Sequence, residues 1–298
     1  MSAGGRTLPV VAEADRAGIE FVGFPGLLPG AVVSAVGYRW SAGPGIHLGL
    51  PSPSLTLVLS VDEPVVTGSS PEDALGPAAD RTHAVLAGLR THPSYIAQPE
   101  AQTGVQLAVH PLSSRALFGV PAGELTRGAV DGAEVLGRRS ERVREQLGEA
   151  RTWSECSSAL VGFLRPREEP RGPRADVVEV WREILRSRGR AAVADLARHV
   201  LLSPRQLNAV FRAEFGLGPK ALSRLVRFEH ARQQLAGSAL GGGVPDLSRL
   251  AQQCGYSDHP HLAADFRQYA GRSPSRWLGE ERRNIQAGAH RRGADFDA

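Results

Sequence analysis

Arg205, Asn208 and Arg212 lie three and four residues apart. At 100° per residue this spacing gathers two guanidinium groups and a carboxamide on one side of a helix, with Ala209 between them. Leu207, Val210 and Phe211 fall on the opposite side. An arginine can bond O6 and N7 of one guanine and an asparagine N6 and N7 of one adenine, so this stripe has the chemistry to read base edges in a major groove. The ordinary counterpart is a solvated charged face on a bundle helix, the usual setting of a surface arginine. The groove reading is preferred because the pattern is written twice in a basic stretch.

The first copy runs Leu196, Ala197, Ser203, Leu207, Phe211, Arg212, Gly216 and Pro219; the second runs Leu250, Ala251, Ser257, Leu262, Phe266, Arg267, Gly271 and Pro274. One extra residue between Ser257 and Leu262 is the only slip, so the stretch is a tandem repeat of one supersecondary unit. In the first copy Ala194 to Val200 reads as a short leading helix. Ser203 then serves as a side-chain cap, and Pro204 sits at the first helical position, where a missing N–H is harmless. A short helix, a break and a capped second helix have the size of a helix-turn-helix.

The second copy carries fewer donors. Its outward positions, counted back from Phe266, are Pro260, Ala263, Ala264 and Arg267, with His261 and Gln268 at the flanks and Asp265 where the first copy has Val210. The expectation is that this helix grips the phosphate backbone through Arg267 while the first helix reads bases. His259 and His261 have no third ligand nearby, so no metal site is expected there. Between the copies, Pro219 to Ala236 has apolar residues at helical spacing and ends at Gly237. A rigid connector of this kind would hold two recognition helices about 34 Å apart on one face of DNA.

These residues resemble the AraC/XylS family of bacterial transcription regulators. The similarity rests on Leu-Ala, Ser-Pro-Arg-Gln-Leu, Phe-Arg and Gly in the first unit and on Arg227 and Ala231-Arg232 in the joining helix. The second unit adds Leu-Ala-Gln-Gln-Cys-Gly-Tyr-Ser-Asp, Phe-Arg, Gly and Ser-Pro-Ser-Arg-Trp. The resemblance implies an activator or repressor that binds double-stranded promoter DNA through two helix-turn-helix units in successive major grooves. Contacts would come from Ser203, Arg205, Gln206, Asn208, Arg212, His261 and Arg267. Where many members carry arginine, this chain has Ala209 and Ala264. The resemblance further implies RNA polymerase as a partner, a homodimer, and a front domain that senses a small-molecule effector or dimerises.

Charge is divided along the chain. Residues 171–298 contain 21 Lys+Arg and 13 Asp+Glu, whereas residues 1–170 contain 14 and 18, within a net charge of +4. A basic module joined to an acidic one fits a DNA-binding half attached to one that does not bind DNA. Lys220 is the only lysine, so arginine abundance by itself says little. The 298 residues are enough for two domains, and a hydrophobic fraction of 42% supports packed cores. Cys156 and Cys254 read as buried helix positions, without partners for a zinc ribbon or a disulfide framework. No signal-peptide pattern or bilayer-spanning run is visible, so a cytoplasmic protein with no membrane association is expected.

Residues 15–110 alternate short β-favouring runs with Gly and Pro breaks: 19–24, 31–40, 54–61, 65–67, 83–89, 94–98 and 104–109. Strands this closely spaced suggest a compact barrel or sandwich. Helical periodicity follows over 112–118, 121–136, 140–147 and 153–164. The expected fold class is therefore α+β. A β-rich, cupin-like barrel or sandwich with a helical segment spans 1–165, and a linker 166–175. An all-α tandem helix-turn-helix domain spans 176–285, and a disordered tail 286–298. The tract from Tyr38-Arg39 through Gly45-Ile46-His47-Leu48-Gly49-Leu50-Pro51-Ser52-Pro53 to Leu55–Ser60 is similar to a β-rich front domain, of no assigned function, on some actinobacterial members.

Catalysis is not expected. His47, His83, His92 and His110 are singly spaced rather than clustered as a cupin metal site needs. Phosphate loops, nucleophile elbows and cofactor motifs are absent from the sequence, so no cofactor is expected. Tyr38, Trp40 and His47 could line a ligand pocket with aromatic walls and one polar handle, although packing is the simpler role for each. The alternative from another class is an enzyme or metal-binding β-barrel fused to a DNA-binding domain.

Overall fold

The computed structural model describes residues 18–126, 129–166, 172–240 and 245–286. The expected loose start at residues 1–6 and the tail expected over 286–298, beyond residue 286, lie outside the described residues, as does the glycine run Gly241 to Gly243.

Among the described residues of the front half there are ten strands: β1 (Ile19–Gly23), β2 (Val32–Trp40), β3 (Gly45–Gly49), β4 (Leu55–Ser60), β5 (Val65–Gly68), β6 (Asp80–Thr82), β7 (Ala84–Ala87), β8 (Ser94–Gln98), β9 (Gln102–Val109) and β10 (Ala129–Asp131). They pair as two antiparallel sheets, one ordered β1-β2-β9-β4-β7-β10 and the other β3-β8-β5-β6. Alternation sets the register of the first sheet. Leu55, Leu57 and Leu59 face Val109, Leu107 and Val105 across the β4–β9 pair, and all six are buried. A slip of one residue would turn the whole set toward solvent, so this register is strongly specified.

Helices cover that apolar face. The short helix α1 (Pro71–Leu75), capped by Ser70, lies instead on β5 and β8 of the other sheet. After β9 come α2 (Ser114–Phe118), α3 (Gly132–Leu136), α4 (Arg138–Glu149) and α5 (Trp153–Phe163). Val143 and Leu147 of α4 and Leu160 of α5 join the sheet leucines in one buried cluster. Thr152 caps α5 through a reciprocal capping box with Glu155. Trp153 lies flat on β2, and a side chain at Gly37 would meet its ring at 2.2 Å, so only glycine admits it there.

The single helix expected over 121–136 is not formed. A 3₁₀ turn, Ala122–Thr126, comes first, and Ala129–Asp131 then pairs with β7 before α3 begins. Apolar residues at helical spacing were outweighed by glycines and by a free sheet edge beside β7, a tertiary override of local periodicity. Strands β3, β6 and β10 and helix α1 were not anticipated as elements.

The C-terminal part contains α6 (Ala175–Arg186), α7 (Val193–His199), α8 (Pro204–Phe215), α9 (Pro219–Leu240), α10 (Leu247–Gln253), α11 (His259–Ala270) and α12 (Pro274–Gln286). Two cores result. Val177, Val180, Trp181 and Ile184 of α6, with Leu196, Leu207, Phe211 and Phe215, belong to the same buried cluster as the sheet leucines. Leu225, Phe228, Ala231 and Leu235 of α9 form a second cluster with Leu250, Leu262, Phe266 and Trp277. The first helical pair is thus packed into the front domain's core, and the second is built around α9.

Candidate nucleic-acid interface

The face of α8 follows from its cap and its buried stripe. Ser203 Oγ accepts the Gln206 N–H at 3.2 Å, and Gln206 Oε1 accepts the Ser203 N–H at 2.9 Å and its hydroxyl at 2.8 Å. At the other end Gly216, at φ +76°, closes the helix on the Arg212 carbonyl. Leu207, Phe211 and Phe215 are fully buried, which leaves Arg205, Gln206, Asn208, Ala209 and Arg212 exposed along one side.

These exposed residues differ in what they have free. Gln206 has committed its amide oxygen to the cap. Asn208 leans on the start of α9, where a side chain at Gly218 would meet Asn208 Oδ1 at 2.2 Å. Arg205 and Arg212 have no carboxylate partner among the described residues, so their guanidinium groups are open to an external acceptor.

In the second unit Asp258 caps α11 by accepting the His261 N–H at 2.8 Å. Arg267 is exposed, as are Pro260 and Ala264. Ala263, expected to face outward, is buried at 5% exposure. Its side chain ends at Cβ and does not reach past its neighbours, whereas Asn208 at the matching position does. His261 is half-buried, with Nδ1 3.1 Å from Ser257 Oγ and its ring edge-on to Tyr256 at 5.1 Å. Among the described residues no group of three or more His, Cys, Asp or Glu side chains is placed to hold a metal.

Asp265 was legible only as a replacement for Val210, and its role comes from α9. It is fully buried, and Arg224 Nη2 donates to its Oδ1 at 2.5 Å and to Gln268 Oε1 at 2.9 Å. Arg227 Nη1 donates to the Gly255 carbonyl at 3.0 Å. One arginine of the connector therefore fixes the recognition helix of the second unit, and another fixes its turn. The sequence signal was an acid on the inward stripe of α11 with two arginines on the connector.

The turn of the first unit carries strain that the second avoids. Leu201 adopts φ +56° with its side chain 93% exposed, whereas Gly255 holds the matching place at φ +80°. The left-handed region costs a non-glycine residue about 1–2 kcal/mol, and glycine gives back roughly 0.5–1 kcal/mol in chain entropy. Leu201→Gly is therefore expected to stabilise the chain by about 0.5–1 kcal/mol, read as a rise in thermal midpoint. A fall would show that the exposed leucine makes a contact that the protein needs.

The first unit is also held from the front domain. Arg115 of α2 makes a two-pronged pair with Glu214 of α8, Nε to Oε1 at 3.0 Å and Nη2 to Oε2 at 2.9 Å. Hydrogen bonding to that carboxylate raises the Arg115 pKa further. Thr126 covers Gly216, and Gly123 presses on the carbonyls of Arg212 and Ala213, so the 3₁₀ turn sits against the C-terminal end of α8. Trp181 is wedged between His110 at 5.5 Å and Phe215 at 4.6 Å, and burial pushes the His110 pKa down.

The proposed ligand-facing trio is dispersed. Tyr38 and Trp40 lie on β2 in the six-stranded sheet, whereas His47 is exposed on β3, at an edge of the other sheet. The Tyr38 hydroxyl donates to Gln102 Oε1 at 3.4 Å, and burial drives its pKa upward. Trp40 spends its indole N–H on the Gly43 carbonyl at 3.0 Å. A recess of about 270 Å³ lies elsewhere, lined by Glu63, Val66, Leu75, Arg81 and Gln98 among others.

A helix-turn-helix domain family model matches residues 196–280. This stretch is a helix-turn-helix domain. Among solved structures the chain is similar to a transcriptional regulator with an AraC-type DNA-binding domain from Chromobacterium violaceum, at 24% identity over 37% of this chain and 90% of that one, with a TM-score of 0.31. It is also similar to ToxT from Vibrio cholerae O395, at 11% identity over 88% and 97% of the two chains with a TM-score of 0.44. Unsaturated fatty acid-bound ToxT from Vibrio cholerae matches at 10% identity over 79% and 94%, with a TM-score of 0.39. No curated protein sequence matches the chain. No helix among the described residues is long and apolar enough to cross a membrane.

Proposed function

We propose that the chain is a DNA-binding transcription regulator that reads promoter DNA with α8, grips the backbone with α11, and is modulated by a front domain that bears directly on α8. The observation that carries this is the α8 face: Arg205 and Arg212 are exposed and unpaired beside Asn208, while the opposite stripe is sealed in the core. On α11 Arg267 is the one exposed long donor, which suits a phosphate contact rather than base readout. The Arg115–Glu214 pair and the Thr126–Gly216 contact give the front domain a mechanical route to α8. A small-molecule effector, a second copy of the chain and RNA polymerase complete the set of proposed partners.

The test is a salt titration of DNA binding by the full chain. Arg212→Ala and Arg267→Ala are each expected to weaken every duplex alike and to reduce the slope of log K against log salt by about 0.9. An unchanged slope in both variants would remove α8 and α11 from the interface.

A further inference from the structure

We propose that Arg188, Arg190 and His230 form a phosphate-binding cleft at the seam between the two helix-turn-helix units. This deepens the DNA-binding reading above and rests on it only where the phosphate belongs to DNA.

The seam is built on α9. Ser223, Arg227 and His230 recur along one side of that helix and face the loop that joins α6 to α7. The loop lies flush on it, since a side chain at Gly189 would meet the Ser223 carbonyl at 2.0 Å and the Arg227 nitrogen at 3.2 Å. Arg188 Nη1 reaches His230 Nε2 at 3.3 Å. Arg190 runs across the turn of the second unit, where a side chain at Gly255 would meet its Cδ at 2.7 Å. Arg227 holds the same turn through the Gly255 carbonyl. The loop leading into the first unit thus brings its two arginines against His230 of α9 and over the turn of the second unit.

Two independent features point to an anion there. The first is electrostatic. Arg188 and Arg190 have no carboxylate partner among the described residues; Arg190 Nε donates only to the Ser187 carbonyl. Burial lowers the His230 pKa, and Arg188 and Arg190 lower it further with no acid opposing them. Like charges gathered without a counter-charge repel one another and are relieved by an external anion. The second is conformational. Arg188 is held at φ +53°, a left-handed conformation that costs about 1–2 kcal/mol in a residue with a side chain. Glycine would relieve that strain, but only arginine places a guanidinium on His230.

Phosphate fits better than carboxylate because its oxygens are offered in several directions, matching three donors that arrive from the α6–α7 loop and from α9. The imidazole, accepting from Arg188 at Nε2, keeps Nδ1–H as a further donor in that tautomer. The source is either a backbone phosphate of operator DNA spanning the two units or a free phosphate.

The test uses the full chain, wild type against Arg188→Gly and Arg190→Ala, with Arg212→Ala as the control for DNA binding. Arg188→Gly is expected to keep or raise the thermal midpoint, because it removes a left-handed arginine. If the phosphate belongs to DNA, each variant binds duplex about tenfold more weakly and its salt slope falls by about 0.9. If it is free, about 10 mM inorganic phosphate raises the thermal midpoint of wild type and of neither variant, while their salt slopes stay unchanged. The cleft is disproved if both variants match wild type in slope and in phosphate response. Arg212→Ala separates the two ideas, since a lowered slope there with no effect at Arg188 and Arg190 leaves the DNA-reading assignment standing alone.

Discussion

Arg115→Ala is expected to destabilise the chain by about 2–3 kcal/mol, a large share of a domain's total stability. Glu214 is almost wholly buried while Arg115 keeps about a third of its surface, so truncating the arginine strands a carboxylate in the core and not on the surface. The pair is two-pronged, which rules out the small value typical of exposed ion pairs. Urea denaturation would measure the loss, and a change below about 0.5 kcal/mol would mean that the contact behaves as a surface pair. Arg115→Met combined with Glu214→Leu is expected to recover most of the stability, because two apolar groups bury without a desolvation cost. That double variant keeps the fold while removing the polar link from front domain to α8. A change in its DNA affinity at restored stability would therefore read the coupling itself.

That link is what the sequence concealed. Arg115 and Glu214 are 99 residues apart, and neither belongs to a periodic pattern that would flag it. The α8 face was legible because its information is local: a cap, a stripe at helical spacing and a glycine stop all fall between Ser203 and Gly216. The same kind of local reading predicted strands β4 and β9, from short β-favouring runs bounded by Gly and Pro breaks. It failed between residues 121 and 136, where a sheet edge took three residues that helical spacing had claimed. It also misplaced Ala263 and left Asp265 unexplained, since both depend on what α9 places beneath α11. Local pattern thus specified which side chains α8 exposes, while long-range packing decides how firmly α8 and α11 are held. The two units are held differently, the first from the front domain and the second from the connector.

Arg205→Ala should erase a preference at one base pair of the operator while leaving neighbouring positions intact. A bidentate arginine discriminates its base by about 1–3 kcal/mol, so the preferred base should lose about five- to 150-fold of its advantage. Arg205 sits in the first turn of α8, exposed, with no internal partner to hold it back. Asn208→Ala should act at a different base pair and toward the lower end of that range, because its amide oxygen is packed at Gly218 and must swing out to pair with adenine. Selection of bound sequences from random duplexes by the full chain would show both effects as columns that lose information. Identical selected motifs for wild type and Arg205→Ala would move base recognition off α8. With Gln206 held in its cap and Ala209 too short to reach, readout would then have to come from the second unit, where α11 offers Arg267 as its one exposed long donor.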